Sequence, residues 1–203
     1  MPVTKIILIR HGQTNWNFEK KYQGHSNIEL SPEGLSQAEK VAARFSDEKI
    51  DAVYASDLSR AFKTAELIAD SHNLKVKTVP KLREIMFGQW EGLKFEEINA
   101  RWPGEFEKFW LHPDEAHIPD GESFLQVKER AYEAFMEIVS AHKGETVVVV
   151  SHGGTIGAIL CAVLDTHIKH VWSIKQENTA VNIIEYPRGK AVISLLNDTN
   201  HLK

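Results

Sequence analysis

Apolar positions along this chain follow two rhythms. Short β-branched runs at Ile6–Ile9, Ala52–Tyr54, Val76–Val79, Val147–Val150, Val181–Tyr186 and Ala191–Leu196 read as strands. The four consecutive valines from Val147 predict a strand covered on both faces. Longer segments between the runs carry helical spacing. Ser31-Pro32 is an N-cap followed by proline at the first helical position, and Leu35, Ala38, Val41, Ala42 and Phe45 then share one face. Asp57 is placed to cap a second helix with Ala61, Ala65, Ile68 and Ala69 inward. Phe124, Val127, Ala131, Phe135 and Ile138 mark a third, and Gly153 to Val163 a fourth that is mostly apolar.

Strands alternating with helices predict a three-layer α/β/α sandwich with a mostly parallel sheet. Pro187-Arg188-Gly189 reads as a hairpin turn, so the last two strands pair antiparallel and give one antiparallel edge strand. The stretch from Glu84 to Glu122 breaks the rhythm and holds Trp90, Trp102, Phe106, Phe109 and Trp110. It reads as a helical excursion over the site end of the sheet, its aromatics divided between core and pocket wall. Residues 1–203 are thus expected to form one domain, with 84–122 as a lid-like excursion.

Composition narrows the function class. At 203 residues the chain is long enough to bury roughly 70% of its unfolded surface. Its 42% hydrophobic and 26% charged residues are ordinary for a soluble globular protein. The longest apolar run, Gly157 to Leu164, is far short of a membrane span, and the N-terminal residues carry no export pattern, so a cytoplasmic protein without membrane contacts is expected. A net charge of −4 argues against a nucleic-acid partner. Cys161 is the single cysteine and reads as a small core residue. Ten histidines raise metal binding. His167 and His170 are close in sequence, and His112 and His117 flank Asp114, but no third ligand is placed beside either group; solvated surface histidine is the reading taken, and no metal or cofactor is expected. Oligomeric state is left open, a homodimer being one option.

The chemistry concentrates at strand ends, where open α/β sheets bind ligands. One strand runs into Arg10-His11-Gly12 and another into Ser151-His152-Gly153-Gly154. Glycine beside each histidine allows close backbone approach, and a helix starting near Gly153 offers free N–H groups to an anion. Arg60 sits in the first turn of a helix, where a cation opposes the helix dipole, which makes sense if it binds an anion. Two arginines and two histidines around one pocket suggest phosphoryl chemistry: guanidinium matches phosphate oxygens, and neutral imidazole attacks phosphorus. Glu84, after the third strand, is the candidate acid for the leaving oxygen. A lone histidine after a strand is ordinarily a polar loop residue; the coincidence of all these groups carries the reading. No Walker loop, G-x-G-x-x-G or G-x-S-x-G elbow is present.

Leu8-Ile9-Arg10-His11-Gly12-Gln13-Thr14-Asn15-Trp16-Asn17 resembles the signature of the histidine phosphatase superfamily, in its phosphoglycerate-mutase-like branch. Tyr22-Gln23-Gly24, Leu30-Ser31-Pro32-Glu33-Gly34, Ser56-Asp57-Leu58-Ser59-Arg60-Ala61, Leu82-Arg83-Glu84, Phe87 to Gly92, Gly121-Glu122-Ser123, Ser151-His152-Gly153-Gly154 and Asn178 to Asn182 extend the likeness over essentially the whole chain. The resemblance implies that His11 carries the phosphoryl group and that Arg10, Arg60 and His152 hold its oxygens. It further implies that Glu84 donates a proton and later activates water, and that Asn17 and the backbone near Gln23, Gly24 and Gly153 complete the substrate pocket.

Both phosphatases and mutases share that chemistry. Family mutases resemble Glu-Arg-x-Tyr-Gly at the acid motif, whereas this chain reads Glu84-Ile85-Met86-Phe87-Gly88, apolar where a mutase holds substrate carboxylate. From Lys94 to Glu122 three basic residues face eight acidic ones, a net −5 and a poor cradle for a bisphosphate. The expected activity is hydrolysis of a small phosphomonoester without metal. A cofactor-dependent phosphoglycerate mutase is the alternative. A non-catalytic binding module is a further one, disfavoured because His11, Arg60, Glu84 and His152 are all present.

Overall fold

A computed structural model describes residues 2–203. Six strands form one sheet in the order β3-β2-β4-β1-β5-β6. They are β1 (Thr4–Arg10), β2 (Ala52–Ala55), β3 (Val76–Thr78), β4 (Thr146–Ser151), β5 (Val181–Tyr186) and β6 (Val192–Asp198). β3, β2, β4 and β1 run parallel; β5 runs against both β1 and β6, the antiparallel pairing expected at that end.

The side-chain alternation of β1 and β4 makes two cores. Ile6, Leu8, Val147 and Val149 pack with Phe135 and Ile138 of α6 (Phe124–Ala141) and Ile156 and Ile159 of α7 (Gly153–Val163). Ile7, Ile9, Val148 and Val150 pack against Val41 of α2 (Pro32–Arg44) and Ala61, Ala65 and Ile68 of α3 (Ser59–Asp70). Each of these buried valine, leucine and isoleucine side chains contributes roughly 1.5–3 kcal/mol relative to exposure. Burial on both faces is why the central strands are continuous apolar runs.

Between β3 and α6 the chain makes α4 (Phe95–Arg101) and α5 (Glu105–Leu111); a single turn, α1 (Asn15–Phe18), follows β1. The excursion builds a third core from Ile85, Phe87, Trp90, Ile98 and Phe109, which shares Phe124, Val127, Ala158 and Cys161 with α6 and α7. No helix among the described residues is long and apolar enough to cross a membrane.

Three local expectations need correcting. α3 is capped by Leu58 backbone without a side-chain bond, because the Asp57 carboxylate is taken by Arg83. Leu35 is exposed; Gly34 takes the buried place on that turn of α2. Gly12 does not clear space for a ligand but for α2, since a Cβ there would lie 2.4 Å from Gly34 O.

The contact is reciprocal: a Cβ on Gly34 would lie 1.9 Å from Gln13 O. The loop leaving β1 is therefore seated on the bare backbone of α2. Gly34→Ala should lower folding stability by about 1–3 kcal/mol through overpacking. Urea unfolding measures it, and a change within about 0.5 kcal/mol, the range of an ordinary surface substitution, would show that this loop has room to move.

Candidate active site

β1 and β4 are parallel neighbours with Arg10 opposite Ser151, so the histidines that follow them, His11 and His152, leave the sheet side by side. His11 and His152 end with ring centroids 5.1 Å apart at 61°. The strand-end backbone is tied down: His11 N donates to Ser151 O at 3.0 Å, and Gly12 N to Thr64 Oγ1 of α3 at 3.1 Å. Asn178 Nδ2 donates to His11 O at 3.1 Å.

His11 has a defined tautomer. Its Nδ1 lies 2.7 Å from the Gly12 carbonyl, which only accepts, so Nδ1 carries the proton and Nε2 keeps its lone pair. Burial, then the charges of Arg60 and Arg10, hold the His11 imidazole well below the usual histidine range. His152 is depressed in the same direction, first by burial and then by Arg60, His11 and Arg10. Among the described residues neither ring nitrogen of His152 has a hydrogen-bond partner, and Arg10 Nε and Arg60 Nε are likewise buried without one. Buried polar groups are ordinarily paired; four such atoms around one histidine mark a place built for an anion.

The Arg60 guanidinium is 1% exposed. Nη1 donates to Ser26 O at 2.9 Å and Nη2 to Gly24 O at 2.8 Å. Burial pushes the guanidinium down to about 10, Glu84 opposing and Arg10 adding to the shift, so it stays charged at neutral pH. The Gly24–Ser26 loop is itself held by Glu91, whose carboxylate accepts from His25 N at 2.8 Å and Ser26 N at 2.9 Å. Arg10 Nη1 donates to Gln176 O at 2.6 Å.

Glu84 takes the place that the sequence offered to an external anion. The N-terminus of α7 does bind a carboxylate, that of Glu84: Gly154 N donates to Oε2 at 3.2 Å and Thr155 N to Oε1 at 3.1 Å. Ile85 N adds 3.0 Å to Oε1, which leaves Oε2 the less engaged oxygen. Close approach is needed at Gly154, not Gly153: a Cβ on Gly154 would lie 2.8 Å from Glu84 Oε1, whereas one on Gly153 meets Arg10 Nε at an ordinary 3.5 Å.

Two spaces meet at Arg10 and Glu84. A small cavity of about 150 Å³ is lined by His11, Asn17, Lys21, Gln23, Gly24 and Arg60 among others. A larger chamber of about 480 Å³ is lined by Trp110, Trp172, Ile174, Lys175 and Gln176, with Gly153 and Gly154 at its edge. Arg10, His11, Asn17, Gln23, Gly24, Arg60, Glu84 and Gly153 all border these two spaces, and His152 packs against His11. Asn17 Oδ1 is engaged by Thr14 N at 3.1 Å and Asn178 Nδ2 at 3.3 Å, while Gln23 Oε1 accepts from Thr14 Oγ1 at 2.9 Å. The aromatic segment divides: Trp90 and Phe109 are core, and Trp110, 44% exposed, forms the chamber wall with Trp172 at a centroid distance of 4.7 Å. Among the described residues no cluster of three or more histidine, cysteine or acidic side chains could hold a metal ion.

Sequence reading missed Gln176, Lys21 and Trp172, and gave Asn178 no role. A signal existed for the segment before β5: an antiparallel strand beside β1 must begin where β1 ends, and Val181 pairs with Ile9.

A model of the histidine phosphatase superfamily (branch 1) matches residues 6–199. Phosphoglycerate mutase-like protein 4 of Arabidopsis thaliana is 39% identical, the match covering 98% of this chain and 87% of that protein. A metal-independent phosphoserine phosphatase of the same plant is 36% identical over 98% of this chain and 84% of its own length. The solved structure of Bacillus stearothermophilus YhfR superposes with a TM-score of 0.95 at 35% identity, covering 98% of this chain and 100% of that one.

Both buried imidazoles are neutral when folded and gain a proton on unfolding below the ordinary value of about 6.5. The unfolded chain then binds more protons, so stability falls as pH drops through that range. His152→Gln should remove about 1 kcal/mol of the stability lost between pH 7.5 and 5.5, read from urea midpoints. Identical pH slopes in the two proteins would mean that His152 takes up its proton in the fold as it does in the unfolded chain.

Proposed function

The chain belongs to the histidine phosphatase superfamily and is a phosphatase; we propose that it hydrolyses small phosphomonoesters through a phosphohistidine formed on His11. The observation that carries this reading is the group of unpartnered buried nitrogens of Arg10, Arg60 and His152 around a neutral imidazole with a free Nε2. The phosphoryl group enters the small cavity, where Arg10, Arg60 and His152 take its oxygens, with Asn17 and the Gln23–Gly24 turn beside it. The His11 Nε2 lone pair forms the N–P bond as the P–O bond to the leaving group breaks. Glu84 gives its proton to the leaving oxygen and then, as carboxylate, takes one from the water that cleaves the N–P bond. Inorganic phosphate leaves and His11 is restored. Arginine and imidazole supply the charge that a metal would otherwise supply, in keeping with the metal-independent phosphatase among the relatives.

The leaving group occupies the larger chamber. Hydrolysis is favoured over the mutase reading because that chamber offers no second phosphate site. Lys175 is its only cation besides Arg10 among the described residues, and it pairs with Glu177. At the acid motif Ile85 is buried and Phe87 packs edge-on to Tyr22 at 5.0 Å, where a mutase needs polar groups. Phosphoserine is the substrate to assay first, on the strength of the phosphoserine phosphatase relative. Residues 84–122 act as a lid over this chamber through Trp110.

His11→Ala should abolish rapid, acid-labile labelling of the protein by phosphorylated substrate, while wild-type turnover survives exhaustive chelation. Labelling that persists without His11, or activity restored to a chelated sample only by a divalent ion, sinks the reading.

Glu84→Gln separates the acid role from mere positioning. General acid catalysis contributes on the order of 10²–10⁴-fold where the leaving group needs a proton. Single-turnover phosphorylation of His11 by phosphoserine should fall by such a factor, and that by p-nitrophenyl phosphate far less. Equal losses would assign the proton to another group. Glu91 is not that group, because its oxygens are engaged by the 25–26 backbone.

A further inference from the structure

Glu84 is held at both ends. Its carboxylate rests on α7, and its backbone carbonyl accepts two side chains from distant parts of the chain. Arg130 Nη2 donates to Glu84 O at 2.9 Å, and so does His25 Nε2, also at 2.9 Å. Arg130 comes from the second turn of α6 and does more than this. Its Nη1 donates to Lys81 O at 2.7 Å and Arg83 O at 2.9 Å, so one guanidinium spans the whole turn that delivers Glu84. Its remaining edge takes the Glu122 carboxylate as a fork, Nε to Oε1 and Nη2 to Oε2, both at 2.8 Å. All five N–H donors of an arginine are thereby engaged.

Glu122 closes the frame. Its Oε2 also accepts from Met86 N at 2.9 Å, which fixes the chain on the other side of Glu84. The Arg130 and Glu122 side chains are only 19% and 18% exposed, so solvent does not loosen the fork. His25 brings in the phosphate end of the site, because its neighbours Gly24 and Ser26 hold Arg60. The frame therefore runs from Arg60 through the 24–26 loop to the turn bearing Glu84. None of its three members lines the small cavity or the chamber.

We infer that Arg130, with Glu122 and His25, is a positioning residue of the reaction: it sets the main chain of Glu84 and hence the reach of its carboxyl to the leaving oxygen. This rests on Glu84 being the proton donor. A donor must stand within hydrogen-bond reach of the oxygen it protonates, and the three carbonyls that Arg130 gathers need a planar group with donors on several edges. Lysine keeps the charge opposite Glu122 but cannot reproduce the fork or span the turn.

The test is single-turnover phosphorylation of His11 by phosphoserine and by p-nitrophenyl phosphate in Arg130→Lys, in Glu84→Gln and in the double variant. Arg130→Lys should slow the phosphoserine reaction on the order of 10- to 100-fold, the scale of a small misplacement of a reacting group, and the nitrophenyl reaction by less than about threefold. Vanadate affinity, which reads Arg10, Arg60 and His152, should hold in Arg130→Lys and so certify its fold. In the Glu84→Gln background the lysine substitution should cost nothing further, because no donor remains to be placed. His25→Ala, which removes one donor to the same carbonyl, should show the same selectivity at smaller size and keeps the test open if Arg130→Lys does not fold. Equal slowing of both substrates, or full additivity with Glu84→Gln, overturns the inference. If Glu84→Gln alone fails to separate the substrates, it is the donor role of Glu84 that has fallen instead.

Discussion

A guanidinium buried, among the described residues, with no carboxylate within ion-pair distance is the constraint around which the candidate-site end of this protein is organised. Removing a charge from water is costly unless it is paired or hydrogen-bonded. Arg60, 1% exposed, meets that cost through the carbonyls of Gly24 and Ser26. Those carbonyls face it because Glu91 draws the backbone N–H groups of His25 and Ser26 to the other side of the loop. The same loop presents His25 to the Glu84 carbonyl. One buried cation thus fixes a loop, and the loop helps fix the Glu84 main chain. Burial first, and then this positive charge, holds the His11 and His152 imidazoles well below the usual histidine range.

The sheet supplies the rigidity that this arrangement needs. Alternate residues of β1 and β4 lie in opposite cores. A one-residue slip of either strand would exchange their faces, so the register Arg10 opposite Ser151 is strongly set. His11 and His152 inherit their spacing from it. On the far side, the third core anchors the excursion to the outer faces of α6 and α7. This is why a segment without regular alternation delivers Glu84 and Trp110 to defined places.

The α7 N-terminus shows how one physical preference is met in a way that sequence order alone does not reveal. Free N–H groups at a helix start attract an anion. The pattern His152-Gly153-Gly154 suggested phosphate. The structure puts the Glu84 carboxylate there instead, and leaves the anion-shaped deficit of hydrogen bonds on Arg10, Arg60 and His152. The two spaces on either side are thereby adjacent and distinct, meeting at Arg10 and Glu84.

What local chemistry controls was legible in the residues themselves. β-branched runs wrote the strands, and the Ser31-Pro32 pair wrote the start of α2. Parallel strand order then put Arg10, His11 and His152 together at the carboxyl end of the sheet. The placement of Arg60 and Glu84 near them came from coincidence of type and was fixed further by family likeness. Tertiary structure decided what depends on partners far apart in the chain. Asp57 pairs with Arg83 rather than capping α3. Gly12 gives way to Gly34 rather than to a ligand. Trp90 turns into the core while Trp110 turns to the chamber. Arg130 reaches Glu84 across 46 positions of sequence. Periodicity and capping act over a few residues and leave their mark in the local order of side chains. A hydrogen bond between separated segments requires only that the fold bring donor and acceptor together, and nothing near either residue in the chain records it.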